Sequence, residues 1–267
     1  MNSGAKRPIA LTIAGSDPGG GAGMQADLKT FAALGVYGYS ALTMVIAQNS
    51  RRVTDIEVVS AAMFISQLET LAEEAKPAAV KAGATGNAKL IKVIARAIER
   101  LKLPAPVVDP VIVSSAGKRL LDRAGLRAMR RRLIPIARIV TPNIPEAAAL
   151  AKIKIDSPAA MRKAAKEIVS MGARAVVIKG GHAANDRMAT DLFYDGRKFI
   201  ELAAPRIKGG GAHGMGCAFS AAIAAYLARG ASLEDSVRGA KRYVTLAIRR
   251  GFKLGRGRLI LDHFARS

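Results

Sequence analysis

Residues 9–35 read IALTIAGSDPGGGAGMQADLKTFAALG and combine three patterns that together suggest the fold. The run IALTIAG is mostly apolar and rich in β-branched side chains, which predicts a buried strand, and SDPGGGAG then predicts a loop. Apolar residues recur at helical spacing at Met24, Leu28, Phe31 and Leu34, and a glycine follows. The stretch therefore predicts a strand, a glycine-rich loop and a helix in that order.

The same alternation continues along the chain. Further strand-like runs lie at 39–48, 78–83, 106–110, 138–143 and 174–182. Helical patterns lie between or after them, with predicted N-caps at Ser60, Asn87, Ser157 and Ser232. Strands that alternate with amphipathic helices predict βαβ units and a mostly parallel sheet covered on both faces. Asp195-Gly196, between two alternating runs, predicts one hairpin with a type I′ turn.

Composition narrows the class of protein. The 267 residues carry a formal charge of +22, from 42 Lys and Arg against 20 Asp and Glu. The basic residues are dispersed and no nucleic-acid-binding motif accompanies them, so we expect solvated basic faces rather than a dedicated nucleic-acid site. With a single cysteine and no signal-peptide pattern, we expect a cytoplasmic protein. No apolar run is long enough for a transmembrane helix, so no membrane partner is expected.

Polar residues at the ends of the predicted strands are the candidates for chemistry, because ligands of open α/β sheets bind beyond the carboxyl ends of the strands. These candidates are Asp17, Gln48, Lys81, Asp109, Asn143, Glu146, Lys179 and His182. Neither common nucleotide fingerprint fits, since Gly117-Lys118 lacks P-loop spacing and the glycines of 19–23 do not form G-x-G-x-x-G.

The segment 208–217, KGGGAHGMGC, leads into an alanine-rich helix. The N–H groups of that helix start form a site suited to a phosphate, although a flexible loop before a buried helix has the same pattern. Cys217 has two interpretations. The field of the helix start would lower the pKa of a reactive thiol there, whereas lone cysteines also occur as small buried apolar residues.

Asn143 and Glu146 also have two interpretations. They open a helix after the strand 138–143, where an asparagine cap and a first-turn carboxylate are favourable for purely structural reasons. Alternatively, they hold Mg²⁺-bound water near phosphates, because Mg²⁺ keeps several waters and takes few protein carboxylates.

Six segments, in order, resemble the hydroxymethylpyrimidine/phosphomethylpyrimidine kinases of thiamine biosynthesis, a branch of the ribokinase-like superfamily. They read ALTIAGSDPGGGAGMQADLKTFAALGVYG, AQNS, VVDPVIVSSAG, IVTPNIPEA, VVIKGGH and HGMGC. The resemblance implies a three-layer α/β/α sandwich with a mainly parallel central sheet, forming one domain over 1–267 with terminal extensions at 1–7 and 252–267. It also implies ATP and Mg²⁺, a homodimer, and phosphorylation of 4-amino-5-hydroxymethyl-2-methylpyrimidine and then of its monophosphate.

The resemblance also assigns roles to individual residues. Catalytic roles fall to Cys217, Gly214, Gly216 and Lys179. The pyrimidine site takes Asp17, Gly20, Gln48, Ala84 and Cys217, with the Gln48 amide suited to the aminopyrimidine edge. ATP contacts fall to Asn143, Lys179, Gly214 and Met215. Metal contacts fall to Asp109 and Glu146.

Departures from the family pattern leave the substrate open. Polar residues of the family loop are replaced by Gly209, Gly211, Ala212, Met215 and Ala218. Ala84 stands where the family has a Met expected against the pyrimidine ring. Two alternatives therefore stand beside the pyrimidine kinase: a related vitamin kinase of the pyridoxal type, and a catalytically weakened pyrimidine-binding protein on the same fold.

Overall fold

The computed structural model describes residues 7–180, 187–207 and 212–265. Over these residues the strands are β1 (Ile9–Ala14), β2 (Tyr37–Leu42), β3 (Met44–Gln48), β4 (Val53–Val58), β5 (Ala79–Ala82), β6 (Val107–Val108), β7 (Ile139–Val140), β8 (Val176–Ile178), β9 (Met188–Tyr194), β10 (Phe199–Pro205), β11 (Phe252–Lys253) and β12 (Leu259–Ile260). The α-helices are α1 (Gly23–Ala33), α2 (Ala61–Glu74), α3 (Ala88–Arg100), α4 (Arg123–Ala128), α5 (Ile144–Ala151), α6 (Pro158–Ser170), α7 (Met215–Ala228) and α8 (Leu233–Arg249). After α4 the chain continues through a π-helical turn, Met129–Leu133, and a 3-10 turn, Ile134–Ile136.

Eight strands form the central sheet, in the order β10-β9-β8-β7-β6-β5-β1-β2. The six strands from β8 to β2 are parallel, while β9 and β10 are antiparallel additions at one edge. The prediction of a mainly parallel sheet is therefore confirmed. The carboxyl ends of the parallel strands lie along one edge, where the sequence predicts the site residues.

Helices cover both faces of this sheet. In β1, Leu11 and Ile13 face one core while Ala10 faces the other, as strand alternation requires. One core packs α2 to α6 against the sheet, and the second packs α1, α7 and α8. Helix α7 is buried over 218–225, where alanines dominate, so its backbone lies close to its neighbours. The predicted three-layer arrangement is confirmed.

Side-chain caps place several helix starts where they were predicted. Ser60, Asn87, Ser157 and Ser232 each accept a hydrogen bond from the backbone N–H three residues later. Each cap satisfies one of the N–H groups that a helix start leaves without an internal partner.

The predicted strand 39–48 is wrong as one element. The chain breaks at Thr43, whose hydroxyl donates to the carbonyl oxygen of Ala84 at 2.6 Å. Strand β2 before the break belongs to the central sheet, whereas β3 after it pairs antiparallel with β4 in a separate two-stranded sheet. Strand β4 was not predicted, because its polar sequence VTDIEV has little apolar alternation.

The predicted hairpin is confirmed, but its turn is longer than two residues. Tyr194 pairs with Phe199, so four residues connect β9 to β10. Gly196 has a positive φ of 89°, and the Asp195 carboxylate accepts the N–H groups of Arg197 and Lys198. This side-chain bonding replaces the tight type I′ turn.

The predicted C-terminal extension packs on the rest of the chain as far as residue 265. Strands β11 and β12 pair, and Leu261 and His263 are buried. The backbone N–H of His213 donates to the carbonyl oxygen of Leu259 at 2.8 Å, which joins the C-terminal segment to the loop before α7. Within the described ranges, no helix combines the length and the apolar character needed to cross a membrane.

Candidate functional site

The central feature of the site is a cation–carboxylate pair at the ends of β6, β7 and β8. Asp109 follows β6 and Lys179 follows β8, and the Lys179 Nζ lies 3.1 Å from Asp109 Oδ1. The Thr141 hydroxyl, which follows β7, donates to the same oxygen at 3.2 Å. The side chains of Lys179 and Asp109 are 18% and 2% exposed, so only the lysine has appreciable contact with solvent. Three adjacent strand ends thus hold one ion pair.

The start of α7 lies directly against this pair. A Cβ added at Gly216 would lie 3.1 Å from Lys179 Nζ and 3.6 Å from Asp109 Oδ2. Gly214 precedes the helix with a positive φ of 82° and packs against the backbone of Gly21, so a side chain there would be strained. No side chain caps α7. Its first N–H groups therefore present partial positive charge beside the Lys179 ammonium.

Asn143 and Glu146 form a reciprocal cap at the start of α5. The Asn143 N–H donates to Glu146 Oε2 and the Glu146 N–H donates to Asn143 Oδ1, both at 2.9 Å. The structural interpretation of these residues is confirmed. Both residues also line a cavity of about 580 Å³ beside the Lys179–Asp109 pair. Burial raises the pKa of Glu146 to about 7, with the Lys179 cation opposing and the Asp109 carboxylate adding to the rise.

Two cavities meet at this point. One, of about 170 Å³, lies between β10, α7 and α8 and is mostly apolar. The other, of about 580 Å³, is lined by Asp109, Glu146 and Cys217 among others. Both cavities are lined by Asn143, Lys179, Met215 and Gly216. A group passing from one cavity to the other would cross the start of α7.

The charge of Lys179 is secured by its surroundings. Burial disfavours the ammonium, but the carboxylates of Asp109 and Glu146 outweigh that cost and raise the pKa of Lys179 above its usual value. The cation therefore persists at neutral pH and is available to an anion.

For Cys217 the prediction of a lowered pKa is wrong. The surrounding protein atoms desolvate the thiolate and raise the pKa of the Cys217 thiol to about 11, although the side chain is partly exposed. The Lys81 cation and the N–H of Gly23 favour the thiolate, but the carboxylates of Asp27 and Asp109 oppose it. At neutral pH Cys217 is a thiol. Cys217 lines the larger cavity together with Asp109.

The carboxylate oxygens of Asp17 form hydrogen bonds with other groups of the protein. Its oxygens accept the N–H groups of Gly19 and Ala22 at 3.0 and 2.7 Å, and Oδ2 lies 2.7 Å from His213 Nε2. Burial opposes the carboxylate form of Asp17. The hydrogen bond and charge of His213, together with the two backbone N–H groups, outweigh burial and lower the pKa of Asp17. Asp17 therefore shapes the glycine-rich loop and joins it to the loop before α7.

The remaining predicted pyrimidine contacts lie beside this loop. The Gly20 carbonyl oxygen accepts a hydrogen bond from Lys29 Nζ at 2.8 Å. The φ of Gly20 is 68°, a backbone conformation that suits glycine. Gln48 ends β3 in the small sheet, and Ala84 is held by Thr43. None of these residues lines either of the two cavities at the start of α7.

Several residues of the site were missed from the sequence. Ser220 donates to Asp109 Oδ2 at 3.3 Å from the second turn of α7. Arg119 and Arg258 line the larger cavity.

Lys81, a sequence candidate, lies inside β5 rather than after it, and its Nζ contacts Asp27 Oδ2 of α1 at 2.6 Å. A buried lysine inside an apolar strand is a signal that a carboxylate must lie nearby.

Three positions discussed from the sequence lie outside the described residues. They are His182, Gly209 and Gly211.

The protein side chains supply only part of the ligands that Mg²⁺ needs, and waters and substrate phosphates would supply the rest. Asp109 and Glu146 offer hard oxygen ligands, and the Asp109 carboxylate disfavours the charge of Glu146, a repulsion that a cation would relieve. Within the described ranges, no cluster of three or more His, Cys, Asp or Glu side chains gathers for a metal. The two carboxylates of Asp109 and Glu146 suit Mg²⁺, which binds through one or two carboxylates together with waters and substrate phosphates.

Comparisons with known proteins agree with this geometry. The family model described as phosphomethylpyrimidine kinase matches residues 17–262. The hydroxymethylpyrimidine/phosphomethylpyrimidine kinase of Rhizobium meliloti is 46% identical over 97% of this chain and 97% of that protein. A thiamine biosynthesis bifunctional protein of Geobacter sulfurreducens is 44% identical over 96% of this chain, which spans 52% of that longer protein.

Solved structures give the same result. A phosphomethylpyrimidine kinase of Clostridium difficile superposes with a TM-score of 0.81 at 37% identity, over 91% of this chain and 100% of that one. The pyridoxal kinase of Staphylococcus aureus in complex with AMP-PCP and pyridoxal superposes with a TM-score of 0.88 at 39% identity, over 97% and 94%. The ribokinase-like fold and the kinase assignment predicted from the sequence are confirmed. This chain belongs to the phosphomethylpyrimidine kinase family.

Proposed function

We propose that this chain transfers phosphate from ATP to 4-amino-5-hydroxymethyl-2-methylpyrimidine and then to the resulting monophosphate, giving the diphosphate used in thiamine biosynthesis. The observation that carries the proposal is the Lys179–Asp109 pair at the start of α7, where two cavities meet. A kinase needs such a junction, because donor and acceptor must approach one phosphoryl group from opposite sides.

The smaller cavity suits the nucleotide. Its apolar walls, which include Phe219, Val244 and Ile248, match the faces of a base and a ribose. The phosphates would then reach the shared residues, where Lys179 and the N–H groups of α7 neutralise the charge of the transferring group. Such fixed electrostatic stabilisation is usually the largest part of phosphoryl-transfer catalysis.

Asp109 and Glu146 would hold Mg²⁺ through waters and the ATP phosphates. The ion supplies further neutralisation of phosphate charge when bound. Asp109 also keeps Lys179 oriented across the cavity junction, with Thr141 and Ser220 fixing its two oxygens.

The two phosphorylations differ in what Cys217 must do. The hydroxymethyl oxygen carries a proton that leaves when its bond to phosphorus forms, so a nearby group must accept or guide that proton. The phosphate oxygen of the monophosphate is already deprotonated at neutral pH, because the second pKa of a phosphate ester is about 6. Because Cys217 is a thiol at neutral pH, it orients the hydroxymethyl group and guides its proton toward solvent rather than holding it, and it matters chiefly for the alcohol.

A product assay tests this proposal. Purified chain is incubated with ATP, Mg²⁺ and each pyrimidine separately, and mono- and diphosphate are quantified. We expect Cys217→Ala to lose roughly 10²-fold in kcat with the alcohol, the scale of general acid–base effects. The loss with the monophosphate is at least tenfold smaller. Absence of product from both substrates at high enzyme concentration rejects the proposed function.

A substrate panel separates the alternatives. The solved pyridoxal kinase of Staphylococcus aureus shares this fold, so pyridoxal belongs in the panel. Preference for pyridoxal would support the vitamin-kinase alternative. Pyrimidine binding by calorimetry without turnover would support the weakened binding protein. We expect the hydroxymethylpyrimidine to have the highest kcat/KM.

The proposal includes one catalytic domain over 1–267, which acts as a homodimer in the cytoplasm. The family resemblance supports the dimer. Light scattering at catalytic concentrations tests it, and a mass of 28.0 kDa rather than twice that value would contradict it.

A further inference from the structure

We propose that Arg258 and Arg119 form a subsite for the phosphate of a phosphorylated acceptor, so that they favour the monophosphate over the alcohol. This inference rests on the proposed function and adds a substrate-selecting element to it. It assigns a role to the C-terminal segment, which the sequence indicated only as an extension.

The two arginines lie on the acceptor side of the site. Both line the larger cavity together with Asp109 and Cys217, and neither lines the smaller, nucleotide-side cavity. Cys217, which the proposed function places at the acceptor hydroxyl, likewise lines only the larger cavity, so the reacting end of the acceptor lies in this cavity beside Asp109 and Glu146. The arginines are therefore placed to meet an acceptor phosphate.

Arg258 is held at this wall by contacts on either side. Its backbone N–H donates to Ser50 Oγ at 3.0 Å, in the connection between β3 and β4. The next residue, Leu259, accepts the N–H of His213 at 2.8 Å. The backbone at Arg258 is thus anchored both to the small sheet and to the loop that begins α7. Its exposed side chain extends from a fixed point.

Arg119 reaches the cavity from the loop after β6. It pairs with Val113 across this loop, and its Nη1 donates to the Leu121 carbonyl at 3.3 Å. In the described parts of the chain, neither Arg119 nor Arg258 forms an ion pair with a carboxylate. Each guanidinium therefore retains donors for an anion.

The chemistry of the second phosphorylation requires such cations. The alcohol is neutral, whereas the monophosphate brings a charge of about −1.5 to −2 toward ATP. The ATP phosphates repel that charge, and Lys179 is already paired with Asp109. Guanidinium groups bind phosphate in a bidentate manner, which makes them suited to offset this charge.

The transfer itself balances without another reactant. A phosphate oxygen of the monophosphate forms a bond to the γ-phosphorus of ATP as the bond from that phosphorus to the ADP oxygen breaks. ADP leaves with the electron pair of that bond, and no proton has to be removed from the attacking oxygen at neutral pH. The arginines therefore act on charge and position, not on proton transfer.

Steady-state kinetics with both acceptors test the subsite. Arg258→Met and Arg119→Met are compared with Arg256→Met, a matched control from the same exposed turn that does not line the cavity. We expect each test variant to raise KM for the monophosphate by roughly tenfold to a hundredfold, the scale of a charged hydrogen bond. The ratio of kcat/KM for monophosphate to that for alcohol falls at least tenfold, while Arg256→Met leaves it unchanged. Arg258→Lys recovers part of the ratio, because it restores charge without the bidentate geometry.

The outcomes separate this inference from the proposed function. Thermal unfolding first establishes that the variants fold. Equal losses with both acceptors, or no loss in either test variant, overturn the subsite while leaving the kinase activity intact. Wild-type chain that phosphorylates the alcohol but not the monophosphate also overturns it. Wild-type chain inactive with both substrates rejects the proposed function itself.

Discussion

Among the buried lysine–carboxylate pairs of the described residues, Lys81–Asp27 and Lys179–Asp109 differ in what surrounds them. Lys81 and Asp27 contact at 2.6 Å and are both 0% exposed, with the Thr12 hydroxyl donating to the same Asp27 oxygen. Lys179 and Asp109 contact at 3.1 Å but line the cavities at the start of α7. The first pair is sealed between α1, β1 and β5, whereas the second is open to ligand.

The difference shows that burial of a charged pair does not by itself mark an active site. Among the described residues, Asp27 Oδ1 finds no hydrogen-bond partner, and burial raises the pKa of Asp27 despite the opposing effect of Lys81. The sealed pair is therefore compensated only by its own contact and the hydroxyl of Thr12. The open pair can exchange part of its contact for phosphate oxygens, which is what phosphoryl transfer requires.

Breaking the sealed pair has the largest expected effect. Lys81→Met leaves the Asp27 carboxylate buried without its cation, and we expect a loss of roughly 3–5 kcal/mol in the free energy of unfolding. Urea denaturation measures this loss. The control is Lys81→Met combined with Asp27→Leu, which removes both charges and should recover most of the stability. A single variant as stable as wild type would contradict the role of the pair.

Breaking the open pair affects catalysis more than folding. Lys179→Met removes the cation at the cavity junction, and we expect kcat to fall roughly 10²- to 10³-fold with either pyrimidine, as for loss of one electrostatic donor. The free energy of unfolding should change less than in Lys81→Met, because the hydroxyls of Thr141 and Ser220 still donate to the two oxygens of Asp109. Product formation and urea denaturation on the same preparation check both parts. A variant with wild-type kcat would show that the open pair is only structural.

The open pair was accessible to prediction, and the sealed pair was not. Asp109 and Lys179 follow apolar strands, so parallel-sheet geometry places them at one edge even though they lie 70 residues apart. Lys81 was noticed for the same reason, but its partner Asp27 lies on a helix whose pattern predicts only amphipathic packing. Nothing in the local sequence shows which helix covers β5.

The C-terminal segment illustrates a second limit. Arg258 reaches the larger cavity because Leu259 bonds to His213 and Ser50 holds the turn, contacts that join three distant parts of the chain. Local patterns cannot predict such contacts. The pKa of Cys217 was predicted in the wrong direction for a related reason, since the helix start was visible in the sequence but the surrounding desolvation and carboxylates were not.

Charges of both pairs act on the Cys217 thiol, so its pKa reports on both of them. It is the only cysteine, so alkylation by iodoacetamide followed by mass spectrometry reports on one thiol. With a pKa of about 11, its thiolate fraction rises tenfold for each pH unit from 7 to 10. We expect the logarithm of the alkylation rate to rise with unit slope over this range, whereas a free cysteine levels off above its pKa of roughly 8.5. A plateau near pH 8 would show that the helix start dominates over burial.

The same measurement in Lys81→Met separates the two pairs by a smaller effect. The Lys81 cation lowers the pKa of Cys217, and the carboxylates of Asp27 and Asp109 raise it. Removing only the cation should raise the pKa further and slow alkylation at pH 9 by a few-fold, in a variant that is still folded at the assay temperature. Removing both charges of the sealed pair should return the rate toward the wild-type value, because the attraction and the repulsion are lost together. An unchanged rate in Lys81→Met would mean that the charge of Lys81 does not act on the thiol, contrary to this prediction.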